Sequence, residues 1–234
     1  MPDPTFDFYP RGTELVVTDR IEQRMHAELE SGADASAAYD AMEDEQVRQL
    51  REEPAFRDRL RERYREAGVN LVSPTMMGFD RSGTYAEGVW DDLSRWLGRF
   101  DAIPWLRKAT SPAEAREIVD DGDVGVIMNT QNVGAAVDGD PDGVEQLYNA
   151  GIRVGQLTYN SQNLVGHGCT DRVDAGLSNH GVEVVERMNE LGMVVDTSHC
   201  GKETTLDAVA VSEDPVAYTH TFSETLADHD RGAS

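Results

Sequence analysis

The sequence predicts an α/β fold: a (β/α) TIM-type barrel in one domain over residues 1–234, incomplete at about six of its eight βα units. Three observations carry this. Short apolar runs alternate with helical stretches through the second half of the chain, which is how a parallel sheet with helices outside it is encoded. Two successive runs, Met193–His199 and Pro215–His220, end in histidine, with 21 positions between the histidines and a helical stretch in the gap. The length of 234 residues, 39% of them hydrophobic, fits one large α/β domain better than two small ones.

The elements follow in order. Glu14–Asp19 is a short apolar run read as the first strand. Ala35–Glu66 is rich in Glu, Arg, Ala and Leu and reads as helix, broken at Pro54 because proline lacks the N–H and crowds the preceding turn. Gly68–Pro74 is the second strand. Val89–Phe100 sets Trp90, Leu93, Trp96, Leu97 and Phe100 at helical spacing, a stripe that should face the core and bind nothing. Ser111 as N-cap, Pro112 at the first helical position and Glu114 at the third open a helix that runs to Val119. Val124–Asn129 is the third strand, Asp142–Ala150 a helix closed by Gly151, and Ile152–Tyr159 the fourth strand. A glycine-rich loop, Asn160–Gly176, precedes the helix Ser178–Leu191, with Gly192 where a left-handed residue is wanted. The two histidine-ending strands flank the helix Lys202–Ser212 and complete the six.

Composition narrows the partners. The net charge is −23, and two lysines stand beside 19 arginines. Such a surface repels nucleic acid phosphates and anionic membranes and suits concentrated salt, where screening removes self-repulsion. No run approaches the ~20 apolar residues of a membrane span. Met1–Pro10 has acidic residues and no apolar stretch, so it is not a secretory signal. Cys169 and Cys200 are too few for a disulfide framework and read as free thiols in a reducing cytoplasm.

In a β/α barrel the chemistry sits at the C-terminal ends of the strands. Those ends supply Asn129–Asn132, Tyr159 with Asn160, His199 and His220, all polar directly after apolar runs. A neutral imidazole is a good zinc ligand, and a catalytic zinc commonly takes three protein ligands and a water, so the histidine pair reads as half of a metal site. Asp196 falls three positions before His199, on the opposite side of a strand by period-two alternation, and is read as structural. His26 reads as surface and His180 as solvated. His167, between two glycines, is a candidate substrate contact, and His229 a residue near the site.

The ordered combination of Gln156–Gly166, Gly176–Ser178 and Met188–His199, continued through Pro215–His220 to Arg231, resembles the membrane (renal) dipeptidase family of zinc metallopeptidases. The resemblance covers about the last 110 residues strongly and the first 120 in outline. It implies a metal-dependent, hydrolase-like β/α barrel that binds two zinc ions and cleaves dipeptides or other small amides. It also implies His199 and His220 as ligands of one zinc, and Arg231 as the fork that receives the substrate carboxylate. Three positions depart from the family pattern. Gln131 stands where the family has a zinc-bridging glutamate. The family's N-terminal His-x-Asp pair is reduced to Asp19. A substrate-binding histidine is replaced by Tyr159, which Asn160 follows. A subgroup of the family has the Gln-Asn and Leu-Thr-Tyr-Asn sequences found here. The family's proton-handling aspartate lies on a strand beyond Ser234.

The expectation is therefore a dipeptidase-like metallohydrolase in which a metal-activated water attacks an amide carbonyl. His199 and His220 would hold one tightly bound zinc per chain, with Gln131 and Asp19 as further candidates. Arg231, Tyr159 and Asn160 would contact a small dipeptide-like substrate. The alternative is a catalytically impaired relative or fragment acting as a binding or assembly module. Open barrel edges invite a homo-oligomer, or pairing with a missing C-terminal portion.

Overall fold

A computed structural model of the chain describes residues 18–76, 84–138, 140–226 and 229–233. Most of the expected first strand, residues 14–17, lies outside them, as does the segment Met1–Pro10. The elements in chain order are α1 (Asp19–Glu30), α2 (Ala35–Glu52), α3 (Pro54–Ala67), β1 (Leu71–Val72), β2 (Thr75–Met76), α4 (Tyr85–Ala102), β3 (Leu106–Lys108), α5 (Pro112–Asp120) and β4 (Val124–Val126). Then come β5 (Met128–Gln131), α6 (Val133–Ala136), α7 (Pro141–Ala150), β6 (Ile152–Gln156), α8 (Asn179–Leu191), β7 (Val194–Asp196), α9 (Lys202–Val211), β8 (Phe222–Ser223) and β9 (Gly232–Ala233). The chain is thus α/β with parallel strands, as its alternation predicts.

The described residues fall into two compact units. One holds residues up to 74 and 84–127. Its strands form a parallel sheet in the order β1-β4-β3, with Leu71 beside Gly125 and Leu106 beside Val124. The break at Pro54 occurs as expected: α2 ends at Glu52 and Pro54 opens α3. Asp19, expected at a strand end, is instead the first residue of α1, because the Thr18 hydroxyl accepts from the Ile21 N–H and caps a helix there. The expected strand Gly68–Pro74 is split: β1 stops at Val72, and β2 begins after Pro74, which has no N–H to give a ladder. In α4 the expected core stripe is only partly right. Val89, Leu93 and Trp96 are buried, whereas Trp90 and Leu97, seven residues apart on another side of the helix, are 41% and 46% exposed.

The other unit holds Thr75, Met76 and the described residues from 128 onward. Its sheet runs β2-β5-β6-β7, every pair parallel. The last expected strand, Pro215–His220, contributes one parallel bridge, Ala217 beside Asp196, held by the Ala217 N–H on Val195 O and the Thr197 N–H on Ala217 O, both 2.9 Å. Helix α8 starts under the Ser178 hydroxyl and ends at Gly192 with φ +76°, as its sequence signals. Close packing explains Gly155 in the middle of β6: a Cβ there would sit 2.6 Å from Val133 Cγ2 and 2.8 Å from Met188 Cε. The register sets Gln131, Gln156 and Asp196 side by side at the C-terminal end of the sheet.

Candidate functional site

The backbone turns sharply where the strands end. Four described non-glycine residues have positive φ, and three of them, Asn132 (+149°), Asn160 (+61°) and His199 (+62°), follow β5, β6 and β7. Such conformations cost of order 1–3 kcal/mol each and gather where function demands a particular side-chain direction. Here they carry three polar side chains out of the ladder at the same end of one sheet.

His199 is 6% exposed, and every face of its ring has a partner. Its Nδ1 lies 2.7 Å from Asn160 Oδ1, an oxygen that only accepts, so Nδ1 carries the proton. The same oxygen is 3.7 Å from Cys169 Sγ. The Tyr159 ring stacks on the imidazole at 4.1 Å between centroids. Nε2 points at Nε2 of His220, 2.9 Å away. Burial first, then the Arg231 guanidinium and His220, push His199 from its ordinary value of 6.5 down to about 3, so the ring is neutral wherever a hydrolase works.

His220 is set by a second network. Its Nδ1 is 2.7 Å from the Thr219 hydroxyl, which is 2.5 Å from Asp196 Oδ2. Asp196 is 2% exposed and also accepts the N–H groups of Ser198 at 2.9 Å and Thr219 at 3.3 Å. The Ser198 hydroxyl accepts the N–H groups of Thr219 and His220 at 3.0 and 3.1 Å. Asp196 is structural, as its position suggests, but it is also one hydroxyl away from His220. Period-two alternation hides this, because the strand ends at Asp196 and the chain is left-handed by His199.

Two imidazole nitrogens face each other at 2.9 Å, a hydrogen-bond distance, and each ring has an oxygen partner on its Nδ1. A borderline ion such as zinc fits that donor chemistry. Two zinc–nitrogen bonds of about 2.05 Å at a tetrahedral angle set their nitrogens ~3.3 Å apart, a small opening from the distance seen. Among the described residues no group of three or more His, Cys, Asp or Glu is placed to hold a metal ion; the two imidazoles are the pair brought together here.

The remaining sequence candidates are placed as follows. Arg231 donates from Nη2 to the His220 carbonyl at 2.9 Å, and its buried Nε has no partner among the described residues. It lines a cavity of about 380 Å³ together with His199, Cys169, Lys202, His229 and Tyr218. Gln131 is buried at the end of β5, two strands from β7, and its amide donates to Thr75 Oγ1 at 3.2 Å. Asp19 is exposed at the start of α1, in the other compact unit. His26 and His180 are at the surface or nearly so, and His167 has its Nδ1 3.6 Å from Asp171. Both cysteines are free, and burial raises both thiols, Cys200 to about 12.

The glycine-rich loop packs against this site. A Cβ on Gly168 would fall 2.1 Å from the Asn160 carbonyl, and the Cys169 N–H donates to His199 O at 2.9 Å. Asp174, from the same loop, accepts the N–H groups of Glu203 and Thr204 at 2.6 and 3.3 Å and so caps α9, whose own N-cap is Gly201.

Residues 94–233 match the pattern of the family described as Membrane dipeptidase (Peptidase family M19). An uncharacterized dipeptidase of Schizosaccharomyces pombe is 37% identical over 95 residues, which are 40% of this chain and 23% of that protein. The dipeptidase verJ of Clonostachys rogersoniana is 28% identical over 130 residues, 55% of this chain and 33% of that one. The chain thus spans about a quarter to a third of these curated relatives. Among solved structures, an amidohydrolase from Pseudomonas aeruginosa superposes with a TM-score of 0.68 at 29% identity, over 75% of this chain and 53% of that one. A Rhodobacter sphaeroides metallopeptidase, solved with a phosphinate mimic of the dipeptide L-Ala-D-Ala, superposes with a TM-score of 0.65 at 18% identity, over 80% and 66% of the two chains.

Proposed function

Because the chain belongs to the membrane dipeptidase family, we propose that it is a dipeptidase-like metallohydrolase that cleaves the amide bond of dipeptides or related small amides. The observation that carries this reading is the pair of imidazoles, His199 and His220, with their Nε2 atoms 2.9 Å apart and their Nδ1 atoms engaged behind. The chemistry supplied by a divalent cation held there is a water acidified towards neutral pH and a polarised carbonyl.

The chain's own residues do the rest. His199 and His220 hold one zinc per chain. Asn160 and Tyr159, expected at the substrate, both touch His199, so their part is to fix its ring. Arg231 lines the cavity, and the fork of N–H donors of a guanidinium at that place suits the carboxylate terminus of a dipeptide. Lys202 also lines this cavity, together with the carboxylates Asp171, Asp174, Glu224 and Asp230. Gln131 and Asp19 are supporting ligands at most: one amide is engaged with Thr75 and one carboxylate begins a helix. The surface charge speaks for a small-molecule partner and against nucleic acid, and the two free thiols for a cytoplasmic setting.

That no third ligating side chain joins the two imidazoles among the described residues favours a second reading, a catalytically impaired relative or fragment that binds a metabolite or partner without turnover. One assay separates them: hydrolysis of free and C-terminally amidated dipeptides, with and without zinc, alongside metal analysis after dialysis. We expect zinc-dependent cleavage of free dipeptides, loss in His199→Ala and His220→Ala, and one zinc per chain. Zinc bound without cleavage supports the second reading, and two zinc ions per chain overturn the single-site assignment.

A further inference from the structure

We infer that Asp196 and Thr219 form a hydroxyl-relayed clamp that fixes the proton of His220 on Nδ1, so that Nε2 is always presented as a lone pair; this rests on the reading of His220 as a metal ligand. The argument is one of proton counting. The Asp196 carboxylate is acceptor-only, and it already takes the N–H groups of Ser198 and Thr219. The Thr219 hydroxyl has a single hydrogen and three neighbours, Asp196 Oδ2 at 2.5 Å, His220 Nδ1 at 2.7 Å and, more distant, the Ser198 hydroxyl at 3.4 Å. The hydrogen goes to the carboxylate, the nearest neighbour and one that can only accept, while the Ser198 hydroxyl, which already accepts two N–H groups, is placed to donate to Thr219 and not to take its hydrogen. Thr219 is left with a lone pair facing His220, and His220 Nδ1 must bring the proton.

The two imidazoles are therefore held by different partners. His199 leans on the neutral amide oxygen of Asn160, and His220 on a carboxylate through one hydroxyl. A carboxylate behind a ligating histidine orients the ring and makes it more basic, and losing such a partner typically costs 10–100-fold in metal affinity. His220 needs this help more than His199 does. His199 is stacked under Tyr159 and clamped by the loop, whereas His220 follows a single strand bridge. Asp196 and Thr219 are thus positioning residues: they reach the metal only through the ring they aim.

The test reads the proton directly. In the full chain labelled with nitrogen-15, long-range proton–nitrogen spectra report the tautomer of His220 with and without zinc. We expect the Nδ1–H form in both. Zinc affinity, measured against a competing chelator, should fall about 10–100-fold in Thr219→Val and Asp196→Asn and return to within about threefold of the parent in Thr219→Ser. Melting curves of the same variants register any loss of fold. An Nε2–H tautomer in the parent chain overturns the clamp, whatever zinc does. So does a Thr219→Val chain that keeps the Nδ1–H form while its affinity drops, since the residue would then be merely structural. A parent chain that binds no zinc but shows the Nδ1–H form overturns the metal site and leaves the clamp standing.

Discussion

The Tyr159 ring lies over the His199 imidazole with centroids 4.1 Å apart and planes 24° apart. Tyr159 leaves β6 and His199 leaves β7, neighbouring parallel strands, so the stack ties two strand ends together beyond the last ladder hydrogen bond. Stacked rings add ~0.5–1.5 kcal/mol beyond the area they bury. Tyr159→Ala should therefore weaken zinc binding by about 2–10-fold, while Tyr159→Phe keeps the ring and the affinity. Equal loss in both variants, by chelator competition, would show that the hydroxyl and not the stack matters.

Gly168 makes that arrangement possible from the other side. A Cβ at this position meets Asn160 backbone atoms at 2.1 Å, and backbone cannot swing away as a side-chain tip can. Gly168→Ala should destabilise the protein by roughly 1–3 kcal/mol through overpacking. It should also push Asn160 off His199 Nδ1, so zinc affinity falls with the melting temperature. An unchanged melt would mean that the loop packs elsewhere.

Much of this was legible in the residues. Apolar runs ending in polar groups mark the strand ends, and Ser111, Pro112, Ser178 and Gly192 mark helix boundaries by capping chemistry that acts within a few residues. What was hidden depends on contacts or on short elements. β3 is three residues long, too short for periodicity to register. The link from Asp196 to His220 passes through Thr219, 23 positions away, and alternation misdirects where the backbone becomes left-handed. Thr18 could have been read as a cap on the helix beginning at Asp19, had the apolar run before it not suggested a strand. The engagement of Gln131 with Thr75 follows from β2 lying beside β5, a pairing that no local pattern announces.

Asp174 supplies the cap that α9 lacks, since its N-cap Gly201 has no side chain and a Cβ there would lie 2.3 Å from Asp174 Oδ2. Asp174→Ala should cost about 1 kcal/mol, the usual value of an N-cap. The loss should be local. Amide hydrogen exchange at Glu203 and Thr204 should speed up, with little change in α8. Protection retained at both amides would remove Asp174 from this role.

The charge of −23 sets the response to salt. Local pairs such as Arg63 with Glu66 gain little from low salt, because exposed pairs are worth ~0–1 kcal/mol. The 44 acidic residues against 21 basic ones repel over distances that shrink from ~10 Å at 0.1 M to ~3 Å at 1 M salt. Potassium chloride should therefore raise the unfolding midpoint steadily over that range. A midpoint that falls or stays level would show that the surface charge is not self-repelling.

Acid should find His199 in the metal-free chain. In the unfolded state its ring takes a proton near 6.5, and in the folded state burial, Arg231 and His220 hold it off until about 3. Between those values the unfolded chain binds more protons, so stability falls as pH falls. The contribution is fully present above 6.5, shrinks through the window, and is gone below about 3. Carboxylates also titrate in that window, so the informative quantity is a difference. With a chelator present, unfolding free energies of the parent chain and of His199→Asn should diverge between pH 6.5 and 4, the parent losing more. Parallel curves would mean that the imidazole accepts a proton in the folded state, and the ring would then need deprotonation before it could bind a cation.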